Sequence, residues 1–176
     1  MRIRRTDPPG TAPTRVILFG GAALAAGAAA LVLAGRPRVA AIAAAPAAAA
    51  LLVGGHRANH GAGGPTDRTL DALLDRAWDG ALLGSIAWAT REPSPRVAAG
   101  ALVALGASYL SSYVRARGAA LGYTIEERHV TRGVRYALVV VGLATRTLGA
   151  TVWAAAAVSI LAALVRTGQV AKEERA

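Results

Sequence analysis

Long apolar stretches separated by short polar segments run through the whole chain. Six of them reach or approach the roughly 17 to 25 residues that a helix needs to cross a bilayer. They cover residues 16–34, 39–55, 70–89, 97–114, 134–144 and 148–165. The fifth is the shortest, and we expect its helix to extend beyond these bounds. The pattern predicts an all-α integral membrane protein, built as a bundle of six transmembrane helices.

Proline and glycine mark the connections between these stretches. Pro37, Pro93 and Pro95 indicate tight turns, whereas the glycines and proline in residues 54–65 predict an irregular loop. Six spans and their loops use up residues 1–176, so we expect a single membrane domain. Residues 1–15 form a basic N-terminal segment ahead of a retained signal anchor, and residues 166–176 form a tail.

Composition supports a bilayer as the solvent. Of the 176 residues, 54% are hydrophobic and only 17% are charged, which is too apolar for a soluble domain of this length. The absence of cysteine excludes disulfides, thiolate metal sites and cysteine nucleophiles. The net charge of +10 is spread between the spans, which favours membrane lipid headgroups and phosphorylated substrates over nucleic acid as partners.

The placement of basic residues predicts the orientation. With a cytoplasmic N-terminus, the inner segments hold fourteen Arg and Lys residues and the outer loops hold five. The inner residues are Arg2, Arg4, Arg5, Arg15, Arg57, Arg68, Arg115, Arg117, Arg128, Arg132, Arg135, Arg166, Lys172 and Arg175, and the outer ones are Arg36, Arg38, Arg91, Arg96 and Arg146. Because basic residues concentrate in cytoplasmic loops, we expect a multi-pass protein of the inner (plasma) membrane with its N-terminus and tail in the cytoplasm.

Aromatic residues fit this orientation. Trp88 and Trp153 fall near the outer interface, and Tyr109, Tyr113 and Tyr136 near the inner one. Tryptophan and tyrosine are enriched at both membrane–water interfaces. We therefore predict interfacial positions for all five side chains.

Four carboxylates recur at every fourth residue where the third span begins. Residues four apart on a helix stand one above the other, so neighbouring carboxylates repel each other unless a cation lies between them. The residues are Asp67, Asp71, Asp75 and Asp79. Mg²⁺ and Mn²⁺ prefer such oxygen ligands. Since charged residues inside a membrane span usually have a function, the pattern favours a polar site.

A structural alternative explains the same carboxylates without a ligand. Asp67 would cap the N-terminus of the helix. Asp71 and Asp75 would form ion pairs with Arg68 and Arg76. In the same way, the basic residues of the inner loops would serve only to fix topology.

Three segments resemble a known family. Asp71-x3-Asp75, followed by Arg76 and Asp79, is similar to the second half of the CDP-alcohol phosphatidyltransferase signature, D-x2-D-G-x2-A-R-x8-G-x3-D-x3-D. Residues 111–123, SSYVRARGAALGY, resemble the S-Y-x-K/R-A-R-A-x-x-L-G segment of its bacterial phosphatidylinositol-phosphate synthase branch. Residues 132–135, RGVR, lie where that branch has E-R-x-x-R. The resemblance covers roughly residues 40–145.

The resemblance implies an enzyme of phospholipid biosynthesis with a cytoplasmic active site. In that family, four Asp carboxylates hold two divalent metals on the diphosphate of CDP-diacylglycerol, and a polyol or polyol phosphate displaces CMP. Asp71 would be a metal ligand and Asp75 a ligand and general base, with Mg²⁺ or Mn²⁺ as cofactor. The resemblance also implies an acceptor-phosphate pocket of basic residues and a homodimer. The pocket would consist of Arg115, Arg117, Arg132 and Arg135.

The first half of the signature is missing. Its two Asp should fall near Ala50 and Val53, whereas Gly54 matches the signature glycine and Arg57 approximates the signature arginine as nucleotide-binding residues. With two of four ligands absent, the site should bind Mg²⁺ poorly unless other carboxylates replace them. The candidates for that replacement are Asp67 and Asp79.

Three functions are compatible with these observations. The first is a CDP-alcohol phosphatidyltransferase. The second is a catalytically degenerate homologue that binds lipid or stabilises a partner in the membrane. The third is a small transporter that uses the carboxylates for cations or protons.

Overall fold

The computed structural model describes residues 11–60, 63–123 and 129–173, which form six α-helices. They are α1 (Thr11–Leu33), α2 (Pro37–His60), α3 (Pro65–Thr90), α4 (Pro95–Ala120), α5 (His129–Thr145) and α6 (Leu148–Glu173). The all-α prediction is confirmed over these residues. Arg2, Arg4, Arg5, Arg128 and Arg175, which contributed to the predicted orientation, lie outside them.

The helices extend beyond the apolar stretches that predicted them. Helix α2 continues to His60, so the prediction of an irregular loop from residue 54 is wrong for residues 54–60. Gly54 belongs to the helix because it permits close packing: a Cβ there would lie 2.7 Å from a methyl carbon of Leu18 on α1. Helices α4 and α6 likewise continue past their apolar sections into basic ends, which contain Arg117 and Lys172.

The turn between α1 and α2 shows why the chain reverses there. Gly35 has a φ of +72°, a left-handed conformation that glycine adopts without steric cost. Its N–H donates to the carbonyl of Val32, and the N–H of Arg36 donates to that of Leu31. These bonds satisfy the last carbonyls of α1. Pro37 then begins α2, a position that tolerates the missing N–H.

The six helices pack as a closed ring in the order α1, α2, α5, α6, α4 and α3, with a further contact between α2 and α3 across it. Small side chains allow these close approaches. Gly142 on α5 is one such point, because a Cβ there would collide with the Thr151 hydroxyl on α6. The contact between α2 and α3 places the start of α3 beside the end of α2. Helix α5 packs against α2, and its side chains reach α3.

The outer surface of the ring is apolar, as a multi-pass membrane protein requires. Helices α1, α2, α4 and α6 are each long and apolar enough to cross a bilayer. Large exposed side chains on the ring include Val16, Phe19, Ile42, Leu102 and Leu161. Helices α3 and α5 are not among these four: α3 carries the carboxylates, and α5 has only 17 residues.

Four of the five interfacial aromatic residues are exposed, and one is not. Trp88, Trp153, Tyr109 and Tyr113 have 45–65% of their surface accessible. Tyr136 is 1% accessible and stacks on the buried ring of Trp78, with 3.9 Å between ring centroids. Tyr136 is therefore not part of a lipid-facing aromatic belt, because its ring and hydroxyl are bound inside the bundle.

Candidate functional site

A polar cavity lies where the end of α2, the start of α3 and the start of α5 meet the ends of α4 and α6. It joins carboxylates, guanidinium groups and hydroxyls. Its polar lining includes Asn59, Asp71, Asp75, Arg76, Ser108, Ser111, Arg115, Arg132, Arg135, Ser159 and Arg166. The spacing of four residues on α3 turns Asp71 and Asp75 to the same side, as the sequence predicted.

Arg132 on α5 is the centre of the contacts between helices. Its Nη1 lies 2.7 Å from Asp71 Oδ1, and its Nε lies 2.9 Å from Asp75 Oδ1. Its Nη2 donates at 3.0 Å to the carbonyl of Leu51 on α2. One guanidinium therefore bridges α2, α3 and α5.

Asp75 is surrounded by hydrogen-bond donors. The hydroxyl of Tyr136 donates to its Oδ1 at 2.6 Å, and Arg135 Nη2 lies 3.4 Å from the same oxygen. Arg76 contacts its Oδ2. The predicted Arg76–Asp75 ion pair is present, whereas the predicted Arg68–Asp71 pair is wrong. Arg68 instead reaches toward the main chain of α2, and the partner of Asp71 is Arg132.

Asp79 lies deeper and is fully buried. Arg135 Nε donates to its Oδ1 at 2.8 Å, and the Ser108 hydroxyl donates to its Oδ2 at 2.8 Å. Arg76 Nη2 is 3.3 Å from the same Oδ2. These contacts connect α3 to α4 and α5, so the role of Asp79 is to hold the three helices together.

Asp67 is also buried, but it lies outside the cavity. Its carboxylate accepts from Arg15 Nε at 2.7 Å and from the N–H of Gly64 at 2.9 Å. Burial alone would raise the pKa of Asp67, but these two donors hold it below its ordinary value. The cap of α3 is Gly64 rather than Asp67, which is the third helical residue and bonds back to the cap.

The face that α2 turns toward Asp71 carries no carboxylate. A Cβ on Gly55 would lie 2.5 Å from Asp71 Oδ1 and 2.9 Å from Arg132 Nη1. The amide of Asn59, one turn later, donates to Asp71 Oδ2 at 3.1 Å. Ala50 packs toward Gly21 on α1, and Val53 is 53% exposed. The signature therefore fits α2 better one residue later than the sequence suggested, with Gly55 at its glycine.

The predicted basic and nucleotide-binding residues divide into two groups. Arg115, Arg132 and Arg135 line the cavity. Gly54 packs on α1, and Arg57 and Arg117 are exposed side chains away from the lining.

Several lining residues were not singled out from the sequence. Arg166 on α6 had been counted only in an inner tail, yet its Nη1 donates to the Ser111 hydroxyl at 2.6 Å. Ser159 is 1% accessible, lines the cavity, and its hydroxyl has no partner among the described residues. Asn59, which lines the cavity, binds Asp71 directly, and Tyr136, which was predicted only as an interfacial residue, binds Asp75 from outside the lining. One sequence signal could have identified these residues: they are polar side chains within otherwise apolar helices.

The carboxylates do not fit the two-metal site of the family. Among the residues that the structure describes, no three His, Cys, Asp or Glu side chains converge on one point. Asp67 is bound to Arg15, and Asp79 to Arg135. Neither replaces the carboxylates that α2 lacks.

Comparison with known proteins gives one sequence relative and several similar structures, and no family model matches. The chain is 40% identical over 116 residues to a phosphatidylinositol phosphate synthase from Corynebacterium glutamicum. The alignment covers 60% of this chain and 52% of that protein, so the chain spans about half the length of this curated relative.

The solved structures cover almost the whole chain. The apo form of Mycobacterium tuberculosis phosphatidylinositol phosphate synthase has a TM-score of 0.76 at 25% identity, covering 92% of this chain and 90% of that one. The same enzyme with CDP-DAG bound has a TM-score of 0.72 at 25% identity, covering 92% and 87%. Its complex with manganese and citrate, 24% identical with a TM-score of 0.73 over 90% and 81%, shares the fold. The predicted resemblance, including its phosphatidylinositol-phosphate synthase branch, is confirmed.

Proposed function

We propose, from this similarity to CDP-alcohol phosphatidyltransferases, that the chain is a membrane protein of phospholipid biosynthesis acting on CDP-diacylglycerol. It would transfer the phosphatidyl group to a polyol or polyol phosphate and release CMP. The observation that carries the proposal is the cavity itself, in which Asp71 and Asp75 meet Arg115 and Arg132. Carboxylates for a hydroxyl proton and guanidinium groups for phosphate are the two chemistries that this transfer needs.

The reaction assigns separate tasks to the lining residues. The acceptor hydroxyl oxygen bonds to the phosphorus that carries diacylglycerol, the P–O bond to CMP breaks, and Asp75 takes the hydroxyl proton. Arg115 and Arg132 bind phosphate oxygens, for which a planar guanidinium has the right geometry. Arg135 positions Asp75 and Asp79 from the buried side.

Several features of the protein in its membrane belong to the same proposal. All six helices would form one membrane domain, with the N-terminus and the cavity on the cytoplasmic side of the plasma membrane. The lining residues support a one-sided site: Asn59, Arg115 and Arg166 lie near helix C-terminal ends, whereas Asp71 and Arg132 lie near helix starts. Membrane lipids and a homodimer complete the expected partners.

The test is release of CMP from CDP-diacylglycerol by the purified protein. We expect release with a polyol phosphate acceptor, and a loss of about 100-fold or more in Asp75→Asn, because an amide cannot accept the hydroxyl proton. Assays with Mg²⁺, with Mn²⁺ and with EDTA give the dependence on cation. Arg38→Ala, an exposed change on α2 to which no role in the site is assigned, is the matched control. Absence of release with every acceptor in a panel of polyols and their phosphates would overturn the proposal.

A second candidate is a catalytically degenerate homologue that binds lipid or stabilises a partner. The missing α2 carboxylates favour it, because Asp71 and Asp75 are fully engaged by donors of the chain itself. It predicts no CMP release in a folded protein, and unchanged thermal stability on addition of cytidine nucleotides. The similarity to phosphatidyltransferases favours both candidates over a cation transporter.

A further inference from the structure

The guanidinium of Arg132 lies where oxygens from two helices converge. Asp71 Oδ1 is 2.7 Å, Asp75 Oδ1 2.9 Å and the Leu51 carbonyl oxygen 3.0 Å from its nitrogens. Asp71 and Asp75 match the second half of the family signature. The Leu51 carbonyl belongs to α2, the helix on which the two carboxylates of the first half are missing. A cation already lies between α2 and α3, and it is covalently part of α5.

The space for this cation exists because α2 has no side chain at Gly55. A Cβ there would overlap both Asp71 Oδ1 and Arg132 Nη1, so a carboxylate at this position and the present ion pair exclude each other. Tyr136 supports the guanidinium from below, since its ring centroid is 5.5 Å from Arg132 Cζ and its hydroxyl accepts from Nε at 3.2 Å. With Gly55 at the signature glycine, the two carboxylates that α2 lacks would fall at Leu51 and Gly54, and Arg132 donates to the carbonyl of Leu51 instead.

The negative charges of the α3 carboxylates are neutralised without a metal. Four signature carboxylates need two divalent ions, but only the α3 pair is left here. Three carboxylates of α3, two in the cavity and one beneath it, are paired directly with three guanidinium groups. They are Asp71, Asp75 and Asp79 on one side and Arg76, Arg132 and Arg135 on the other. A divalent ion added beside Asp71 and Asp75 would meet guanidinium groups at ion-pair distance, and like charges repel strongly in a buried site.

We propose that Arg132 is a built-in replacement for the divalent cation, so that the site between α2 and α3 holds phosphate groups without a metal. The identity of the phosphate ligand rests on the proposed function, whereas the absence of a metal requirement does not. The planar guanidinium of Arg132 would bind phosphate oxygens through a permanent positive charge and N–H donors in a fixed geometry. A metal ion would bind them by coordination.

Electron paramagnetic resonance of Mn²⁺ tests this on the purified full-length protein. With the wild type, we expect the signal of equimolar free Mn²⁺ to stay unreduced and the melting temperature to be the same in Mn²⁺ and in EDTA. Stoichiometric binding of Mn²⁺ that is lost in Asp71→Asn would overturn the proposal. These wild-type measurements decide the question even if a variant fails to fold.

A designed variant gives the converse result. Arg132→Ala combined with Gly55→Asp removes the guanidinium and adds a carboxylate to α2 directly beside Asp71. We expect this variant to reduce the free Mn²⁺ signal, and saturating Mn²⁺ to raise its melting temperature by about 5 °C or more. Arg57→Ala combined with Gly55→Asp, which retains Arg132, is the matched control and should not bind Mn²⁺. A folded designed variant that leaves the signal unreduced would contradict the proposal.

The results separate this inference from the proposed function. CMP release that persists in EDTA supports both. CMP release that requires Mn²⁺, with Mn²⁺ bound to the wild type, supports the function and overturns the inference. No CMP release and no Mn²⁺ binding overturns the function alone, and binding of cytidine diphosphate in EDTA, measured by calorimetry, then supports a metal-free phosphate site.

Discussion

Helices α2 and α3 adjoin the same cavity but contribute to it in opposite ways. Helix α3 supplies two carboxylates to the cavity and a third beneath it, each with donors on other helices. Helix α2 supplies a backbone carbonyl, the bare backbone of Gly55 and the amide of Asn59. The partners of the α3 carboxylates lie mainly on α5. The comparison teaches that side chains of a third helix can hold a carboxylate cluster in place where the neighbouring helix offers no charged partner.

The largest effect on this arrangement should come from its most buried ion pair. Arg135→Ala would leave Asp79, which is fully buried, with Ser108 and a longer contact to Arg76. Breaking a buried pair from one side costs about 3–5 kcal/mol of unfolding free energy. We expect a loss near the lower end of that range, measured by reversible denaturation in detergent.

A double-mutant cycle separates charge from packing at this pair. Asp79→Leu combined with Arg135→Met should recover most of the stability, because apolar replacements leave no buried charge unpaired. Arg57→Ala, exposed on α2, should change the stability by less than about 0.5 kcal/mol. A loss below about 1 kcal/mol in Arg135→Ala would mean that α5 does not hold α3 in this way.

The sequence predicted the α3 side of the comparison well. Apolar stretches gave the helices, and the spacing of four residues gave the shared face of Asp71 and Asp75. The partners of the carboxylates were not predictable in the same way. Arg132 lies 61 residues from Asp71, and only the packing of α5 against α2 brings them together.

The α2 side was predicted less well for a physical reason. Glycine lowers helix propensity, so residues 54–60 indicated a loop. The bundle overrides that preference, because Gly54 and Gly55 are the points where α1, Asp71 and Arg132 approach α2 too closely for a side chain. The same packing decides which turn of α2 faces the cavity, and spacing along the sequence placed that turn one residue too early.

A smaller effect should follow from filling the gap in α2. Gly55→Ala puts a methyl group 2.5 Å from Asp71 Oδ1 and 2.9 Å from Arg132 Nη1, so the ion pair must shift. Overpacking of this kind costs about 1–3 kcal/mol. Gly20→Ala on α1 is the matched control, because nothing lies within 4 Å of its added methyl. The control should gain about 0.5–1 kcal/mol from the lower entropy of the unfolded chain. Equal effects at the two glycines would remove the steric role of Gly55.

The smallest effect should come from Asn59, the one α2 side chain that binds an α3 carboxylate. Its amide donates to Asp71 Oδ2 at 3.1 Å and to the carbonyl of Gly55 at 2.8 Å. Asn59→Ala should cost about 1 kcal/mol, because Arg132 still pairs with Asp71 and the freed oxygen faces the cavity. In Arg132→Lys the same change should cost more, since a lysine cannot bridge Asp71, Asp75 and Leu51 with a planar fork. Additive losses in the double variant would show that α2 and α5 hold Asp71 independently, and would count against a shared cation site.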